Sequence, residues 1–123
     1  MIIDHIGIAI SDYEKSKEFY SKALAPLEIE LIIEVDGWAG FGKDGKPKFW
    51  FGLDKEVHKP MHIAFSANSR EMVDLFYKVS IKAGAHDNGK PGIREKYHPN
   101  YYGAFVIDLD GHNIEAVCHS RDK

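Results

Sequence analysis

The feature that most constrains the fold is a repeat of the chain within itself. The stretch DHIGIAISDYEKSKEFYSKAL, from Asp4, returns as MHIAFSANSREMVDLFYKVSI, from Met61. His5 and His62 stand 57 residues apart, and the same offset aligns Ser11 with Asn68, Glu14 with Glu71, Phe19 with Phe76 and Tyr20 with Tyr77. Similarity at a fixed offset marks two copies of one supersecondary unit. The expectation is one domain over residues 1–123, made of modules at about 1–57 and 58–123, with the seam at EVHKP.

Each copy carries the signals of a strand followed by a helix. Ser11-x-x-Glu14 and Asn68-x-x-Glu71 have the form of capping boxes, so a helix is expected just after each. Behind the first, Tyr13, Ser16, Phe19, Tyr20, Ala23 and Leu24 keep helical spacing; behind the second, Met72, Leu75, Phe76, Val79 and Ala83 do so. Further strands are expected over 29–35, 38–42 and 48–53 in the first half, and over 103–109 and 113–118 in the second. The Lys-rich GKDGKPK reads as a solvated turn, and HDNGKPGIREKYHPNYY as a long loop with one short strand at most.

Strand alternation then sorts the histidines. Ile6, Ile8 and Ile10 share one face of the first strand, leaving His5, Gly7 and Ala9 on the other; Met61, Ile63 and Phe65 oppose His62, Ala64 and Ser66 in the second copy. Both histidines therefore stand on faces lined by small residues, in front of the sheet. In DGHNIEAVCH, residues 110–119, Glu115 shares the less apolar side of a final strand with Asn113 and Val117. A buried carboxylate is costly unless a cation or strong donors meet it. Two histidines and a carboxylate from three strands can form a facial triad for a divalent metal. The competing reading makes each histidine a hydrogen-bonded strand-end residue and pairs Glu115 with Arg94, Lys96 or another cation.

Charge and composition narrow the partners. A formal net charge of −3 with acids and bases interspersed supplies no basic stripe for nucleic acid. No window is apolar for long enough to cross a bilayer, and MIIDHIGIAI lacks the basic start of a leader, so a cytoplasmic protein is expected. The single cysteine, Cys118, reads as a small core residue.

The duplicated unit, with DHIGIAI and MHIAFSA opening its halves and DLDGHNIEAV closing the second, resembles the vicinal oxygen chelate superfamily. That superfamily includes glyoxalase I, extradiol dioxygenases, fosfomycin-resistance proteins and bleomycin-binding proteins. The resemblance implies an α+β fold of two tandem βαβββ modules whose mixed sheets curl around a shared cavity. It implies one divalent metal ion (Fe, Mn, Ni, Co or Zn) on His5, His62 and Glu115, a small-molecule substrate with vicinal oxygens, and a homodimer. The implied chemistry is that of a lyase, isomerase or dioxygenase.

A fourth ligand, present in the glyoxalase-like pattern, has no counterpart here. Matching the Asp-Gly pairs of KDGKPKFWF and LDGHNIEAV sets Phe49 opposite Glu115, and only a shifted strand brings in Glu56 or His58. The loop over 86–102 offers His98, Tyr101 and Tyr102 near such a metal, with His98 and Tyr102 as acid–base candidates and Tyr101 as a substrate contact. Trp50, with Trp38 and Phe51, would form an aromatic wall for a planar ligand, and Arg94 would meet an anionic group. His86, His112 and His119 read as structural or exposed. The alternative function is a metal-free small-molecule or antibiotic-binding protein of the bleomycin-resistance kind.

Overall fold

A computed structural model describes residues 3–53 and 60–120. The first module runs β1 (Ile6–Ile10), α1 (Tyr13–Ala23), a short 3-10 turn (Ala25–Leu27), β2 (Glu30–Val35), β3 (Trp38–Lys43) and β4 (Lys46–Leu53). The second runs β5 (His62–Ser66), α2 (Arg70–Lys82), β6 (His86–Ile93), β7 (Tyr102–Ile107) and β8 (Asn113–Cys118). The sheets have matching orders, β1-β4-β3-β2 and β5-β8-β7-β6, each with its first strand parallel to its last. This is the tandem βαβββ arrangement that the resemblance implies.

Both helices start one residue later than expected. The caps are Asp12, whose side chain accepts from the Lys15 amide at 3.0 Å, and Ser69, which accepts from Met72 at 3.2 Å. Asp12 and Ser69 obey the same 57-residue offset, so the repeat holds and only the choice of capping residue changes. Ser11 instead gives its own N–H to Asp110. On α2 the inward stripe is rotated accordingly: Val73, Phe76 and Ser80 are buried, whereas Leu75 is 47% exposed.

The stretch expected to be mostly loop begins with the eight-residue strand β6. As the outer strand of its sheet it pairs only with β7, and register shifts around Gly89 accommodate a sequence with Gly89, Pro91 and Gly92. An edge strand tolerates proline and bulges that a central one does not.

The helix-facing sides of both sheets meet in one core that includes Phe19, Phe41, Phe49, Phe51, Phe76 and Ile114. Phe49 of β4 meets Phe65 of β5 edge to face, with centroids 5.2 Å apart, across the two modules. Each fully buried side chain of this core, such as Phe41 or Phe76, stabilises the fold by roughly 1.5–3 kcal/mol. Cys118 belongs to this core.

A buried polar clasp joins the modules as well. The Tyr20 hydroxyl of α1 donates to Asp108 at 2.5 Å, while the other Asp108 oxygen accepts the amides of Asp110 and His112. His112 accepts the Met61 amide at Nδ1, so its proton lies on Nε2, which faces the Ala9 carbonyl of β1 at 3.3 Å. Burial and the Asp108 carboxylate push the Tyr20 hydroxyl well above its ordinary pKa. The structural reading of His112 thus acquires specific partners.

Candidate metal centre

Because the helix faces of the sheets share the core, the opposite faces point outward from it, and these carry the candidate ligands. On β5, exposed His62, Ala64 and Ser66 alternate with Ile63 and Phe65. On β8, Glu115 sits between Ala64 of β5 and Phe105 of β7 in register. Its side chain is only 1% exposed, while that of His62 is 53% exposed, so the imidazole stands at the mouth and the carboxylate beneath it.

Two groups meet the buried carboxylate. His62 Nε2 lies 2.8 Å from Oε1, and the Tyr101 hydroxyl donates a short hydrogen bond to Oε2. Neither Arg94 nor Lys96, the two cations named for this role, pairs with Glu115; among the described residues neither has a carboxylate partner. Burial and the Glu115 carboxylate raise the Tyr101 pKa far above the ordinary tyrosine value, which keeps its hydroxyl a neutral donor.

Beside His62 lies a second recess. The Phe105 ring is 6.0 Å from the His62 ring, and the Arg94 guanidinium lies 5.5 Å over the same phenyl while donating to the Lys90 carbonyl. Arg94, Lys96, Asn88, Asn113 and Tyr97 line this recess, which has a volume of about 280 Å³. Phe105, Asn88 and Asn113 line this recess without having been named as candidate site residues from the sequence. The signal for two of them was present: strand pairing with Glu115 places Phe105 beside it, and period-two alternation places Asn113 on its face.

His5 does not join His62 and Glu115. Its Nδ1 is 2.8 Å from Asp4 Oδ1, its side chain is 60% exposed, and the hydrogen bond from His5 holds the Asp4 carboxyl below its usual pKa. His5 and His62 both line a cavity of about 590 Å³ between the modules, walled by Ile6, Phe41, Phe49 and Phe65. Among the described residues no three His, Cys, Asp or Glu side chains come together in a metal-binding group.

The remaining candidates divide by face. Tyr102 points to the helix side and donates to Asp74 of α2 at 2.5 Å; burial and that bond push its pKa to about 12, which removes it from the carboxylate site. His98 accepts the Asn100 amide at Nδ1, and its ring stands edge-on to His119, centroids 5.8 Å apart. Phe51 is core and forms no part of an aromatic wall. Trp50 lies on the outward face of the first sheet, its ring packed so closely on Gly40 that a Cβ there would come within 2.9 Å of it.

Strand register also corrects the first-module counterpart of Glu115. Gly7 faces Trp50 as Ala64 faces Glu115, so Trp50, and not Phe49, occupies the equivalent position. The Asp-Gly match misplaced it by one residue because β3 and β4 shift register near their turn, between Phe41 and Gly42. Glu56 and His58 lie outside the described residues.

The profile of the Glyoxalase/Bleomycin resistance protein/Dioxygenase superfamily matches residues 2–116. A metallothiol transferase, FosB, of Staphylococcus epidermidis is 28% identical over 92% of this chain and 80% of its own length. A glyoxalase/bleomycin resistance protein from Albidiferax ferrireducens T118 superposes with a TM-score of 0.87 at 23% identity, covering 96% of this chain and 99% of that one. A glyoxalase/bleomycin resistance protein/dioxygenase family enzyme from Burkholderia phytofirmans PsJN gives 0.76 at 19% identity, covering 96% and 98%.

Proposed function

The chain belongs to the Glyoxalase/Bleomycin resistance protein/Dioxygenase superfamily, and from that premise we propose that it is a metal-dependent enzyme acting on a small molecule with vicinal oxygens. Lyase, isomerase and dioxygenase chemistry all fall within this reading. The observation that carries it is the buried Glu115 carboxylate, set 2.8 Å from His62 Nε2 at the mouth of the second sheet's outward face. An imidazole and a carboxylate from adjoining strands form a donor set suited to Fe, Mn, Ni, Co or Zn. The similarity to a metallothiol transferase supports the metal dependence rather than a particular reaction.

His5 supplies the third ligand from a second copy of the chain. Within one chain His5 is engaged with Asp4 and stands apart from the pair, and β1 and β5, the strands next to His5 and bearing His62, are both edge strands. Joining the outward face of one copy's first module to that of another's second module would bring the ligands together and cover both edges.

A divalent ion held there supplies Lewis-acid polarisation of two adjacent substrate oxygens. Arg94 binds an anionic substrate group from its recess beside Phe105, and Trp50 presents an indole to a planar one. His98, with Nδ1 occupied by the Asn100 amide, has Nε2 left to carry a proton.

One observation favours the metal-free binding reading instead: His62 and Tyr101 already satisfy both Glu115 oxygens. Mixing His5→Ala with Glu115→Ala protein, after unfolding and refolding together, separates the possibilities. A shared site is expected to recover metal binding, because each mixed dimer regains one complete triad. Metal bound by the wild type but not by the mixture would place the site within one chain; none bound by the wild type would favour the metal-free reading.

A further inference from the structure

We propose that Tyr101 is a positioning residue that holds Glu115 to a single free oxygen, so that the carboxylate serves a metal through Oε1 alone. The inference rests on the metal reading above. Glu115 divides its oxygens between two partners, Tyr101 at Oε2 and His62 at Oε1. The two bonds differ in what becomes of them when a cation arrives. His62 Nε2 and Oε1 are both donor atoms for the ion, so the contact between them is the one that opens. The Tyr101 hydroxyl has no part in coordination, so its bond persists and ties down the other oxygen.

The tether is built in. The Tyr101 ring packs on Tyr97 and His119, with centroids 5.0 and 5.3 Å away. Its backbone amide donates to the His98 carbonyl at 3.0 Å, and its carbonyl accepts the Arg94 amide at 2.8 Å. Room for the bond comes from Gly103, where a Cβ would lie 3.2 Å from the Tyr101 ring and 3.3 Å from Glu115 Oε2. A carboxylate limited to one oxygen takes one coordination position instead of two, which leaves an additional position for substrate. Hydrogen-bond partners that orient metal ligands are worth roughly 10–100-fold in metal affinity.

The test titrates Co2+ into the full chain as wild type, Tyr101→Phe and Tyr77→Phe, reading affinity by calorimetry and coordination by visible d–d absorption. Tyr101→Phe keeps the ring and its packing, and is expected to bind Co2+ roughly 10–100-fold more weakly. Its visible bands should also lose intensity as the released carboxylate binds through both oxygens and raises the coordination number. Tyr77→Phe, which removes a hydroxyl bonded to Asp87 and outside the site, should match the wild type in both. Gly103→Ala crowds the same bond and should move both readouts in the same direction by a smaller factor. An unchanged Tyr101→Phe spectrum overturns the proposal while leaving the metal reading intact. A wild type that binds no Co2+ removes the metal reading itself.

Discussion

Trp50 on β4 and Glu115 on β8 hold the same place in their modules, the one facing Gly7 and the other Ala64 across a parallel strand pair. Duplication has thus left a carboxylate on one outward sheet face and an indole on the other. Restoring a carboxylate is expected to add a ligand on the His5 side. Trp50→Glu should tighten divalent-metal binding by about tenfold or more, since affinity rises with ligand charge count. Calorimetric titration against the wild type checks this, and an unchanged affinity would mean that Trp50 does not face the metal.

The clasp between the modules makes a stability prediction. His112→Ala strands the Met61 amide and the Ala9 carbonyl in a buried setting and opens a void, which should cost about 2–4 kcal/mol. Tyr20→Phe leaves one Asp108 oxygen without its donor and should cost about 1–3 kcal/mol. Urea unfolding measures both, and losses under about 0.5 kcal/mol would show that the clasp does not hold the modules together.

Helix starts can be tested at adjoining residues. Asp12→Ala and Ser69→Ala each remove a side chain that accepts a free helix amide, at a cost of about 1 kcal/mol. Ser11→Ala and Asn68→Ala should stay within about 0.5 kcal/mol of the wild type. The reverse order in urea midpoints would restore the caps expected from spacing.

Alkaline pH should destabilise the fold through its tyrosines. Burial, with Glu34 beside Tyr13 and Asp74 beside Tyr102, pushes both hydroxyls from the ordinary value of 10 up to about 12. A pKa raised in the folded state gives stability that is complete below the unfolded value and lost as pH rises through the folded one. The urea midpoint should therefore fall from about pH 10 upward and continue to fall towards pH 12. Phenolate absorbance at 295 nm followed alongside should lag that of the unfolded chain; coincident titrations would contradict the raised values.

Much of this architecture was legible because it rests on short-range patterns repeated twice. The 57-residue offset, the alternation of His5 and His62 with isoleucines, and the apolar stripe of α1 all survive in the structure. The strand β6 was harder to read, because its ladder to β7 depends on a partner across a turn and its own sequence carries a proline and two glycines. The company of Glu115 was hidden for a related reason. Arg94 and Lys96 offered the charge that a buried carboxylate calls for, but Tyr101 is the residue that the turn after β6 returns to it. Tyr101 and Tyr102 are adjacent and point to opposite faces, one to Glu115 and the other to Asp74, a choice that composition does not encode. Nor does strand alternation fix where the two outward faces stand relative to each other, which is why His5 could be assigned a face but not a neighbour.

The most direct test of the metal reading is the divalent-metal content of tag-free protein after equilibration with Fe, Mn, Ni, Co and Zn salts and removal of excess, compared with Glu115→Ala. The account predicts close to one ion per chain in the wild type and almost none in the variant. Equal content in the two, or none in either, would contradict it.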